Sequence, residues 1–188
     1  MAWKDPKHRG PAKTGPRAIH NSGTRDPSTI RLVVMHDTEG GTAKSVASYF
    51  ASKTSAASTH WVVDENEALR LLPDDVVPWG APGANRDGIH IEQCGWAKWS
   101  KLDWFRHQST LKRSAWVAAR TCHRYAIPVR WLTDKQLADG VSEGLTYHAQ
   151  VSRVFRGSDH SDPGKNFPYG YFLWLVKRRV KWLKAEGG

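Results

Sequence analysis

Nine histidines and eighteen carboxylates are spread through 188 residues, and three of them fall where a metal could be held. His36 ends the β-branched run Ile30-Arg31-Leu32-Val33-Val34-Met35-His36, just before the turn Asp37-Thr38-Glu39-Gly40-Gly41. His148 lies in Gly144-Leu145-Thr146-Tyr147-His148, and Asp162 in His160-Ser161-Asp162-Pro163-Gly164. Two imidazoles and one carboxylate are a donor set found in catalytic zinc sites, where a fourth position stays open for water. The spacing is not a local metal signature such as His-Glu-x-x-His on one helical face. Only the fold can bring these three together.

The elements that must position them can be read in outline. The run 30–36 reads as a buried strand whose end meets a polar, glycine-rich turn, a common place for functional groups. Thr42 can cap a helix to about residue 53, with Val46, Ala47, Tyr49 and Phe50 at helical spacing. Residues 59–64 and 67–72 read as two strands around a turn at Glu65-Asn66, and 73–87 as a loop. Residues 88–94 read as a strand with His90, Glu92 and Cys94 on one face and Ile89, Ile91 and Gln93 on the other. Ser109 or Thr110 opens a helix to about Tyr125, along which Leu111, Ala115, Ala118, Cys122 and Tyr125 form an apolar stripe. Residues 134–139 read as a short helix, 140–168 mostly as loop and 169–184 as a final helix. Strands interleaved with helices predict an α/β fold, a central mixed β-sheet flanked by helices. Residues 1–28, rich in Pro, Gly, Lys and Arg, read as an extended arm on the domain or a flexible leader; 29–188 read as one domain.

Composition narrows the class. With 39% hydrophobic and 11% aromatic residues the chain is globular rather than disordered. No apolar run approaches the roughly 18 residues that span a membrane. Cys94 and Cys122 are too few for a disulfide scaffold and read as reduced core residues. A net charge of +10 draws the chain to polyanions without saying which. No helix-turn-helix, RRM or zinc-finger pattern is present, so nucleic acid is not expected as a partner. Ten tryptophans are a heavy load; many suit the core, and a few on a groove would suit stacking on sugars or peptides.

Six segments, in order, resemble the type-2 N-acetylmuramoyl-L-alanine amidase family, which includes phage amidase endolysins and the animal peptidoglycan recognition proteins. They are Leu32-Val33-Val34-Met35-His36, Ser58-Thr59-His60-Trp61-Val62-Val63-Asp64, Val77-Pro78-Trp79-Gly80, Asn85 through Gly95, Thr146-Tyr147-His148 and Asp162-Pro163-Gly164. The resemblance implies that family's fold, with one zinc ion held by His36, His148 and Asp162. Zinc with an open position lowers the pKa of its water to about 7 and polarises a carbonyl, both of which an amide hydrolase needs. Glu92 matches a family glutamate that faces the metal; its implied role is to take a proton from water and return it to the leaving amine. His160 stands where many family members have Lys, and as a cation or donor it is expected to stabilise the oxyanion. Thr59 stands where some phage relatives have Tyr, and Gly80 where His is common after Trp. His60 matches a frequent family histidine, read as a groove or a scaffold residue. Trp79 and Asn85 are expected to border the substrate groove, Trp79 stacking on peptide or sugar and Asn85 bonding the peptide backbone; loop packing is the other reading of each.

The implied activity is zinc-dependent hydrolysis of the amide between N-acetylmuramic acid and L-alanine in bacterial peptidoglycan, as a phage endolysin or its amidase domain in host lysis. The alternatives are a non-catalytic peptidoglycan-binding module and a bacterial muropeptide-recycling amidase. No apolar signal core follows Met1, so such an endolysin is expected to be made in the host cytoplasm and to reach the wall after holin-dependent release; a monomer is expected. The last helix puts Phe172, Val176, Val180 and Leu183 on one face and Lys177, Arg178, Lys181 and Lys184 around the other. It reads as a packed amphipathic helix or, functionally, as a contact for anionic wall polymer or a membrane surface.

Overall fold

The computed structural model describes residues 13–186. In chain order its strands are β1 (Lys13–Thr14), β2 (Asn21–Thr24), β3 (Leu32–Asp37), β4 (Trp61–Val63), β5 (Ala68–Arg70), β6 (Val76–Pro78), β7 (Gly88–Gln93) and β8 (Gly144–Tyr147). Its helices are α1 (Ala43–Phe50), α2 (Lys101–Arg106), α3 (Gln108–Arg124), α4 (Asp134–Ala138), α5 (His148–Phe155) and α6 (Tyr169–Ala185). Six strands form one sheet in the order β1-β5-β4-β7-β3-β8. Pairing is parallel except between β4 and β5, so the sheet is mixed. β2 and β6 make a separate antiparallel ribbon.

β3 is buried at all six positions because both faces of the sheet are covered. On one face Val33, Met35, Ile89 and Ile91 pack against α3 and α6 through Leu111, Ala115, Ala118, Cys122, Phe172 and Val176. On the other, Leu32 and Val34 pack under Ala81, Ala84, Leu132 and Val151, and Val62 packs under Ala43, Ala47 and Phe50 of α1. Strand alternation continues that second face to His36 and Glu92, neighbours in register on β3 and β7. The site therefore opens at the ends of these two strands, on the side of the sheet away from α3 and α6. Cys94 and Cys122 are buried free thiols.

Three stretches differ from the sequence reading. Residues 140–168 are not mostly loop: they hold β8 and α5. β8 is only four residues long, too short to display alternation, and α5 begins on His148 with no side-chain cap. Within 73–87, Val76–Pro78 pairs with β2, a partner that lies in the irregular N-terminal stretch. α2 has a legible start, Ser100 with Asp103 three residues on, forming a reciprocal capping box. Of the stretch 1–28, residues 1–12 lie outside the described residues. The remainder forms β1 on the sheet edge, β2 on the ribbon and a short 3-10 turn at Pro27–Thr29.

Arg25 ties this N-terminal stretch to the site. Its guanidinium is buried and donates to the carbonyls of Asp74, Asn85, Arg86 and Gly88 at 2.8–3.0 Å. One side chain thus holds both ends of the loop that leads into β7.

Candidate metal and catalytic site

A cleft of about 720 Å³ opens beside the ends of β3 and β7. The 37–41 turn, α1 through Val46, Tyr49 and Phe50, and the 159–162 loop form its walls. At its base the Nδ1 atoms of His36 and His148 are 3.0 Å apart. Asp162 reaches both, Oδ2 at 3.3 Å from His36 Nδ1 and Oδ1 at 3.2 Å from His148 Nδ1. All three side chains are buried. The tight 162–164 turn that delivers Asp162 depends on Gly164. Its φ is +87° and an added Cβ would stand 2.0 Å from the Ala97 carbonyl oxygen.

The electrostatics suit a bound cation. Burial alone would raise the Asp162 carboxyl, but the imidazoles of His148, His160 and His36 against it outweigh that and hold the group well below the usual carboxylate range. Burial pulls His148 down to about 4, so its imidazole is neutral and offers a lone pair. These three residues can hold a metal ion. Glu92 Oε1 lies 3.9 Å from His36 Nδ1, while Glu92 Oε2 is buried with no hydrogen-bond partner among the described residues. Burial, helped by the charges of Asp162 and Asp37, raises the Glu92 carboxyl well above its ordinary value. His160 is exposed at the cleft, stacked on His148 with ring centroids 4.0 Å apart, its Nδ1 3.5 Å from Asp162 Oδ1. The bond to Asp162 raises its pKa.

A family model described as N-acetylmuramoyl-L-alanine amidase matches residues 26–165. The chain belongs to this type-2 amidase family. The N-acetylmuramoyl-L-alanine amidase CwlL of Bacillus licheniformis is 29% identical over 117 residues, 52% of this chain and 31% of its own length. The chain therefore spans about a third of the length of the curated relatives it matches. The crystal structure of Staphylococcus aureus hydrolase AmiA in complex with its ligand superposes with a TM-score of 0.71 at 20% identity, covering 96% of this chain and 89% of that one. A mutant endolysin from Bacillus subtilis superposes at 0.60 with 15% identity, covering 88% and 98%. At these identities the likeness is one of fold.

In this amidase-family chain the sheet brings together His36, His148, Asp162, Glu92 and His160. The three residues expected to meet substrate are placed differently. His60 is fully buried: its Nδ1 accepts from the His90 backbone N–H at 3.1 Å, and its Nε2 faces Arg25 and the Val76 carbonyl. A ring enclosed in this way cannot touch a ligand, so His60 belongs to the scaffold. Asn85 Oδ1 accepts from the backbone N–H groups of Gly80 and Ala81, which makes it a brace within its own loop. Trp79 is 42% exposed, stacked on His20 and donating to Ser22 Oγ. Its backbone bonds Ser58, the neighbour of Ala57 in the cleft wall.

His90 is a residue the sequence reading left without a role. Its Nε2 faces the Ala84 carbonyl at 3.2 Å, and its Nδ1 faces His36 Nε2 at 3.0 Å. A carbonyl only accepts, so His90 Nε2 carries the proton and Nδ1 is left as an acceptor. His36 Nε2 must then donate, which leaves the His36 Nδ1 lone pair pointing at His148 and Asp162. His148 is held in the same sense more loosely, its Nε2 3.4 Å from Ser158 Oγ. The backbone makes room for the His90 ring at Gly80, where a Cβ would stand 2.4 Å from His90 Nδ1. The common family histidine after Trp79 would meet this ring.

Proposed function

We propose that the chain is a zinc-dependent N-acetylmuramoyl-L-alanine amidase that cleaves the bond joining glycan and stem peptide in bacterial peptidoglycan. The observation that carries this reading is the convergence of His36, His148 and Asp162 beside a buried oxygen of Glu92 that has no partner among the described residues, at the foot of an open cleft. Four donors set tetrahedrally around zinc stand about 3.4 Å apart, and the three present are separated by 3.0–3.3 Å. Zinc held there would make bound water acidic and polarise the scissile carbonyl.

The chain's own residues supply the rest. Glu92 accepts the proton from the attacking water, and its raised pKa lets it keep that proton until the departing L-alanine amine needs one. His160, on the rim of the cleft, donates to the oxyanion as charge develops there. Val46, Tyr49 and Phe50 give the cleft an apolar wall against which the stem peptide lies, and Trp79 extends the surface beyond it. The proposed setting is host lysis by a phage, the protein reaching the wall from the host cytoplasm through a holin lesion; the fold likeness to an endolysin supports it. Contact of α6 with an anionic surface belongs to the same proposal and is supported by its exposed cations Lys177, Arg178, Lys181 and Lys184.

Glu92→Gln tests the acid–base assignment. The variant keeps the shape and should retain metal while release of stem peptides from purified peptidoglycan falls by about 100-fold or more. Release at the wild-type rate would remove Glu92 from the mechanism.

A further inference from the structure

The positive charge of this chain is concentrated in two neighbouring helices. α3 carries Lys112, Arg113, Arg120 and Arg124, and α6 carries Lys177, Arg178, Arg179, Lys181 and Lys184, with no Asp or Glu in either. Outside them, nineteen Lys and Arg are set against eighteen Asp and Glu, so these two helices hold nearly all of the net +10. They pack side by side over Val33, Met35, Ile89 and Ile91, the face of the sheet opposite His36 and Glu92. A field of one sign on one side of a molecule raises the local concentration of polyanions there.

This side is also shaped. Between α3, the end of α6 and the β1–β5 edge runs a groove of about 660 Å³. Lys13, Arg70, Arg120 and Arg124 line it together with the half-buried indoles of Trp61 and Trp116. The Arg70 guanidinium lies 5.8 Å from the Trp61 ring, and the buried guanidinium of Arg179, outside the lining, lies 5.5 Å from the Trp116 ring. The one carboxylate among the lining residues, Asp74, is engaged by Arg70 at 2.8 Å, Arg124 at 3.4 Å and the Tyr125 hydroxyl at 2.7 Å.

We propose that this groove is a second, non-catalytic binding site for a phosphodiester-linked polymer of the cell wall. Guanidinium groups match phosphate geometry, and indole faces take the apolar faces of sugar or polyol units. A concave channel fits a chain, whereas a bilayer would need a flat or convex contact. The choice of a wall polymer over other polyanions rests on the proposed wall substrate. Held from behind, the protein would keep its cleft free toward peptidoglycan.

The test titrates the full chain, with zinc, against soluble poly(glycerol phosphate) by calorimetry at several salt concentrations. Binding should weaken steeply with salt, as expected when counterions are released. Arg120→Glu/Arg124→Glu should weaken it by at least about 10-fold, the milder Arg120→Gln/Arg124→Gln by a few-fold, with hydrolysis of a soluble muramoyl-peptide unchanged in both. Four results would overturn the inference: no binding by the wild type at low salt, wild-type affinity in both variants, equal affinity for a single-stranded DNA of matched charge, or tighter binding to anionic vesicles. Loss of binding with muramoyl-peptide hydrolysis intact removes this site alone. Absence of hydrolysis in the wild type removes the catalytic reading instead.

Discussion

The chain of hydrogen bonds from Ala84 through His90 to His36 makes a quantitative demand. His90→Phe keeps a buried ring of similar size and removes the acceptor that, among the described residues, faces His36 Nε2 at 3.0 Å. The His36 N–H is then buried without a partner, or the ring turns over to the tautomer that carries its proton at Nδ1. A buried donor left unsatisfied costs about 1–3 kcal/mol, which at about 1.4 kcal/mol per decade is a 5- to 150-fold loss of metal affinity. Supporting partners of metal ligands generally act in this range, about 10- to 100-fold. His90→Asn should recover much of the loss, because its Oδ1 takes the place of Nδ1 and still accepts. The assay is competition for zinc with a chromophoric chelator at neutral pH, beside thermal melts of the metal-free proteins to separate general destabilisation. The reasoning is refuted if the Phe variant holds zinc as tightly as the wild type, or if Asn is as weak as Phe.

Three further outcomes follow from the same region. Burial and the Arg25 charge hold His60 at about 3 against an ordinary 6.5, so its contribution to stability is complete above pH 6.5 and is lost at about 1.4 kcal/mol per unit as pH falls toward 3. At about pH 4.5 the metal-free wild type should have lost about 3 kcal/mol more than His60→Asn relative to neutral pH; parallel losses in urea unfolding would contradict the assignment. Arg25→Ala strips four carbonyls of their donor and should cost at least about 3 kcal/mol by denaturant unfolding, and a change under about 1 kcal/mol would show the loop holds itself. Gly164→Ala sets a Cβ against Ala97 at a left-handed φ, so a loss of about 1–3 kcal/mol is expected with weaker zinc binding as Asp162 shifts; unchanged zinc affinity would mean that the turn does not position Asp162.

Much of the site was legible because its residues sit at ends of elements that announce themselves. The β-branched run delivers His36, and pleat alternation places Glu92 on the same side of the sheet. His148 and Asp162 were legible through motif order, although the β8–α5 unit that carries His148 was not. Gly144-Leu145-Thr146-Tyr147 spans only two repeats of the pleat, and its parallel partner lies more than a hundred residues away. Alternation also put His90 beside Glu92, but a strand pattern tells a side chain's face and not its neighbour, so the bond to His36 was invisible. Arg25 left no trace at all, since its partners besides His60 are backbone carbonyls, which every residue has. His60 illustrates the converse. Its type and position match the family, yet burial behind His90 and Arg25 gives it a structural task.

The most direct test of the central claim is mass spectrometry of purified peptidoglycan digested by the protein, after chelation and after zinc is restored. The account predicts free stem peptides with new L-alanine N-termini, lost with the metal and regained with zinc. Glycan and peptide still joined in every sample, with zinc bound at His36, His148 and Asp162, would contradict it and leave a module that binds wall without cutting it.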